Sequence, residues 1–77
     1  MDKQDTHDLD RVRDMATGMD CLIEEDFLLF ARITPLTAEA WRKRHQGPAY
    51  ILFGTRYLYP RKAVAQHLES QTRERNN

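Results

Sequence analysis

Cysteine is nearly absent. The one thiol, Cys21, has no second cysteine to pair with, which excludes an intramolecular disulfide and a cysteine-based zinc cage. Long apolar runs are absent too. The two longest, Phe27 to Ala31 and Ala49 to Phe53, are five residues each, far short of the roughly 20 that a bilayer-spanning helix needs. Met1-Asp2-Lys3-Gln4-Asp5 has neither the basic nor the apolar region of a secretory signal, so a reducing cytoplasm is the expected compartment and no membrane is an expected partner. Glycine is scarce, with no Gly-rich phosphate loop and no Ser-centred nucleophile elbow. The three histidines, His7, His45 and His67, stand far apart, so no metal is expected. With 77 residues, the chain can form one thin core but not a deep active-site cavity. Neither catalysis nor a cofactor is expected.

Charge is plentiful and unevenly spread. Twelve basic residues balance twelve acidic ones. Residues 1–26 hold nine acids against Lys3, Arg11 and Arg13, a balance of −6; residues 27–77 hold nine bases against Glu39, Glu69 and Glu74, a balance of +6. The neutral total thus divides into an acidic segment and a basic module, a pattern suited to binding a polyanion.

The local patterns predict a mostly α domain with a small β-hairpin, an α+β class, over residues 21–70. Residues 1–20 read as an acidic N-terminal arm, mobile or forming a short helix at Leu9 to Ala16, and residues 71–77 as a disordered tail. Ile23, Phe27, Phe30 and Ala31 share one helical face, and Glu24, Glu25 and Asp26 suit a helix's first turn, where the dipole favours anions. This helix is expected to run to about Arg32. Thr34-Pro35 then signals a second helix, with Thr34 as N-cap and Pro35 in the first turn. Ala38, Trp41 and His45 are its inward candidates, and Gly47-Pro48 stops it. Tyr50 to Phe53 and Tyr57 to Tyr59 read as two strands joined by a three-residue loop, Gly54-Thr55-Arg56, with Arg56 at its tip. Because Tyr57 and Tyr59 alternate with Leu58, one of the two sets is expected to face outward. A last helix runs from Pro60 to near Ser70, with Val64 and Leu68 one turn apart.

Two helices on a tight turn followed by a hairpin make a helix-turn-helix with a wing. Such a unit reads DNA for dimensional reasons, since a helix fits the major groove and a hairpin tip reaches a neighbouring phosphate or the minor groove. Arg42, Lys43 and Arg44 cluster at the end of the second helix. Dipole-complementing solvated surface is the plainer account of that run taken alone.

The series Thr34-Pro35-Leu36-Thr37-Ala38-Glu39-Ala40-Trp41-Arg42-Lys43-Arg44, then Gly47-Pro48-Ala49-Tyr50, then Gly54-Thr55-Arg56-Tyr57-Leu58-Tyr59, then Arg61, Val64 and Leu68, resembles the excisionase-type winged helix-turn-helix family, related to the MerR superfamily. The likeness covers about residues 22–69. It implies a fold of helix, turn, helix, wing and helix, and double-stranded DNA binding without catalysis. A member serves as an excisionase (recombination directionality factor) or as a small transcription regulator of mobile-element genes. By position, Leu36, Thr37, Glu39, Ala40, Lys43 and Arg44 would face DNA, with Thr55 and Arg56 on the wing; Arg42 is expected to join Lys43, Arg44 and Arg56 in neutralising phosphates. Further copies of the chain on DNA, and an integrase, are the other expected partners. Arg32 and His45 stand where the family commonly has glycine, and Ala38 where it has a larger aliphatic. A left-handed backbone at Arg32 costs roughly 1 kcal/mol. The rival from another class is a protein-interaction adaptor that does not bind DNA.

Overall fold

A computed structural model describes residues 3–73, with side chains from residue 8 onward. It contains four helices, α1 (Lys3–Gly18), α2 (Glu24–Ala31), α3 (Pro35–Arg44) and α4 (Arg61–Ser70), and three strands, β1 (Cys21–Ile23), β2 (Ile51–Phe53) and β3 (Arg56–Pro60). The strands form one antiparallel sheet in the order β1-β3-β2. The class is therefore α+β and mostly helical. Among the described residues, no helix is long and apolar enough to cross a membrane.

Alternation along the strands divides the interior in two. Tyr59 and Leu22 point to one face of the sheet, where they meet Phe27 of α2, Val64 of α4 and Trp41 of α3. Cys21, Ile23 and Leu58 point to the other, where Leu9, Val12 and Ala16 of α1 cover them. The molecule thus has three layers, with β3 central and covered on both sides. This corrects two expectations. Tyr57/Tyr59 and Leu58 both face packed helices, so neither set points outward. The expected division at residue 20 cuts through a core cluster, and α1 is longer than the stretch from Leu9 to Ala16. The sequence understated α1 because its inward stripe is narrow and ends in the small Ala16. Residues 1–2 and 74–77 of the expected arm and tail lie outside the described residues; Gln71 to Arg73 have no regular secondary structure.

Ile23 is the other revision. Expected on the first turn of a helix, it ends β1 opposite Leu58 and is fully buried, and the helix starts one residue later. Phe27 keeps its inward place, but Phe30 is 65% exposed.

α2 and α3 each end on a non-glycine residue in the left-handed region, Arg32 at φ 57° and His45 at φ 56°. Each closes its helix with nested bonds: Arg32 N–H to Leu29 O and Ile33 N–H to Leu28 O after α2, His45 N–H to Arg42 O and Gln46 N–H to Trp41 O after α3. His45 is consequently a capping residue at the surface rather than an inward one. Because the Cβ of an L-residue crowds the following carbonyl oxygen in this conformation, Arg32→Gly is expected to stabilise the domain by about 1 kcal/mol. A higher urea midpoint at unchanged slope would establish this; an unchanged or lower midpoint would refute it.

The start of α3 follows the sequence closely. The Thr34 hydroxyl accepts a hydrogen bond from Thr37 N–H at 3.1 Å, and Pro35 sits in the first turn. After α3 the chain turns back tightly at Gly47, where a Cβ would lie 2.9 Å from Trp41 Cε3. Only glycine lets the backbone cross the indole this closely.

Candidate nucleic-acid interface

Helical spacing sorts the residues of α3. Ala38 is buried, and Trp41 packs edge-on to Phe27 with ring centroids 6.3 Å apart. Opposite them lie Leu36, Glu39, Lys43 and Arg44, all exposed, flanked by the half-buried Thr37 and Ala40. The structure therefore brings six of the expected contact residues onto one outward arc. Leu36 is 75% exposed there. Lys43 Nζ lies 3.4 Å from Glu39 Oε2, one turn away on the same surface. A pair this exposed is worth only about 0.3–0.5 kcal/mol, so a phosphate can displace the carboxylate at little cost. Arg44 has no carboxylate partner among the described residues.

Arg42 is different. Its side chain is only 11% exposed. The guanidinium donates to Tyr59 Oη at 2.8 Å, approaches Glu24 Oε2 at 3.5 Å and lies over the Tyr57 ring with Cζ 3.7 Å from its centroid. Desolvation is the largest influence on its pKa and pulls it down; the bond to Tyr59 and the nearby Glu24 charge outweigh it, leaving the group above its usual value. Burial likewise pushes the Tyr59 phenol up, against the pull of Arg42. The residue expected on phosphate is thus a tie between α3, β3 and α2. The reason is angular: each residue turns about 100°, so Arg42 falls beside Ala38 while Lys43 and Arg44 fall on the outward side.

The hairpin is also tighter than expected. Phe53 pairs with Arg56, Leu52 with Tyr57 and Ile51 with Leu58, which leaves a two-residue turn, Gly54-Thr55, with Gly54 at φ 67°. The tip is Gly54-Thr55, and Arg56 belongs to β3. From there Arg56 Nη1 reaches Glu25 Oε1 at 3.5 Å. Thr55 and Arg56 do approach the start of α3, sharing with Pro35, Glu24, Glu25, Leu28 and Tyr57 a cleft of about 350 Å³.

The side chains that sequence reasoning missed are the three acids of α2's first turn. Each meets an arginine from a different element: Glu24 meets Arg42 of α3, Glu25 meets Arg56 of β3, and Asp26 meets Arg13 of α1. The last contact is bidentate, with Nε and Nη2 at 2.7 and 3.0 Å from the carboxylate oxygens. Read as local dipole complements, these acids also act at long range. The turn is a charge hub on which α1, α3 and the hairpin converge, and it takes up two of the four cations expected to face DNA. No group of His, Cys, Asp and Glu that could hold a metal occurs among the described residues.

No family model matches the chain, and neither a curated protein nor a solved structure is detectably similar to it.

Proposed function

We propose that this protein binds double-stranded DNA, with α3 as recognition helix in the major groove and the β2–β3 hairpin as a short wing. The observation that carries this reading is the outward arc of α3. It exposes Leu36, Glu39, Lys43 and Arg44 beside Thr37 and Ala40, while an N-capped first turn, the buried Ala38 and the half-buried Trp41 hold the helix beneath them. Four helices around a three-stranded antiparallel sheet are compatible with a small winged-helix-like fold. Lys43 and Arg44 neutralise phosphates, and Leu36, Thr37 and Glu39 meet base edges, where Glu39 accepts from cytosine N4. Thr55, at the hairpin tip, reaches the backbone beside the groove.

Within that reading, the role that fits best is an excisionase that bends DNA and assists an integrase; a small transcription regulator of mobile-element genes is the alternative. An adaptor that binds protein instead is favoured by one observation, the exposed apolar groups on α2 and α4: Leu29 at 77%, Phe30 at 65% and Leu68 at 52%.

Fluorescence anisotropy with the protein's own neighbouring DNA and a scrambled duplex, at two salt concentrations, separates DNA binding from the adaptor. With Arg42 and Arg56 engaged internally, about two to three phosphates are neutralised, so log K should fall against log[salt] with a slope of about −2 to −3. Absence of binding to either duplex at low salt would overturn the DNA reading and favour the adaptor.

A further inference from the structure

Of the three strands, β2 alone exposes every side chain: Ile51 is 45% exposed, Leu52 56% and Phe53 73%. It is also an edge strand. In a two-residue hairpin the hydrogen-bonded pairs alternate, so Phe53/Arg56 and Ile51/Leu58 exchange bonds while the N–H and C=O of Leu52 point away from β3. Neither group has a backbone partner elsewhere among the described residues. Edge strands are ordinarily guarded by being very short or by a charge, a proline or a bulge. β2 is short, at three residues, but it has no charge and no proline, and its register with β3 is unbroken.

We propose that β2 is a self-association edge, on which a second copy of this chain pairs its own β2 antiparallel about Leu52. The joint sheet then runs β1-β3-β2-β2-β3-β1. Three observations favour a second copy over an unrelated strand. Antiparallel pairing about Leu52 is self-complementary, because Leu52 exchanges both outward bonds with the second copy's Leu52. It also sets Ile51 opposite the second copy's Phe53 on one face, twice over, a β-branched residue against an aromatic one. Finally, the chain has no net charge, and α1 of each copy covers its own β1 and β3. The two β3 strands are three strand spacings apart, about 14 Å, which exceeds a Debye length of about 8 Å. The exposed Leu29 and Phe30 offer a partner apolar area but no free backbone groups, and so no register.

The two-fold axis of such a pair is perpendicular to the sheet, so both α2–α4 layers lie on one side of it. Resting on the DNA reading above, this places the two α3 helices to read half-sites as an inverted repeat.

Sedimentation equilibrium of the full chain without DNA, from about 10 μM to about 1 mM, tests the edge directly. The weight-average mass is expected to rise from 9.1 kDa towards twice that value. Leu52→Lys should hold it at the monomer mass with unchanged far-UV circular dichroism, and Leu29→Lys should behave as wild type. If Leu52→Lys loses its fold, Leu52→Glu, which also sets like charges opposite each other across the two-fold axis, takes its place with the same two outcomes. A flat monomer mass across the range overturns the proposal, as does a rise that the Leu52 variant leaves intact or the Leu29 variant removes. Association without duplex binding would overturn the DNA reading alone; duplex binding by a chain that stays monomeric would overturn the edge alone.

Discussion

Phe27→Ala is expected to leave much of the protein unfolded at 25 °C. Phe27 is 4% exposed and stacks on Tyr59 with centroids 4.1 Å apart and planes 15° from parallel. Its edge meets Trp41, and Val64 of α4 belongs to the same cluster. One ring therefore joins α2, α3, β3 and α4. Truncating a buried phenylalanine costs about 3–5 kcal/mol in transfer and cavity energy. A domain of this size holds only about 3–5 kcal/mol of net stability in a single core. Loss and reserve are equal, so the folded population collapses. Phe30→Ala, three residues on but at the surface, should change stability by less than about 0.5 kcal/mol. Urea melts of both variants followed by circular dichroism decide the matter. A cooperative Phe27→Ala transition within about 1 kcal/mol of wild type would show that the ring is not the joint described here.

The second large effect separates neighbours within one basic run. Arg42→Lys is expected to cost about 2 kcal/mol of stability, because an ammonium can neither lie flat over Tyr57 nor hold Tyr59 Oη and Glu24 together. Both partners lie where water reaches poorly, so groups left unpaired carry a desolvation penalty. Lys43→Ala/Arg44→Ala should leave the melt unchanged, because both side chains are exposed and their one ion pair is weak. It should instead weaken duplex binding about 10- to 100-fold at moderate salt and reduce the salt slope by about 2. Arg42→Lys, assayed where it is fully folded, should bind DNA like wild type. Thermal melts and anisotropy on the same three proteins provide the check. An Arg42 variant that is stable but defective on DNA would return Arg42 to the interface and remove its structural role.

Much of this protein was determined within short windows of sequence. The Thr34-Pro35 start of α3, its stop before Gly47, the presence of a hairpin after it, though not its two-residue turn, and α4 all depend on neighbours within a few residues, where capping, turn chemistry and helical spacing operate. The outward arc of α3 was legible for the same reason, since a helix repeats every 3.6 residues whatever it packs against.

Tertiary structure alone decided what distant residues do to one another. Arg42, Lys43 and Arg44 are alike as letters, and only the arrival of Tyr59, 17 residues away, and Glu24, 18 away, makes the first a buried tie. Arg56 was legible as a hairpin cation but not as the partner of Glu25, 31 residues earlier. β1 is three residues long and shows itself only by pairing with residues 58–60, and α1 joins the core only because that pairing gives the sheet a second face to cover. Local sequence determines conformation through contacts a few bonds apart; which charge is buried and which face is covered depends on groups brought together by folding, and no periodicity records them.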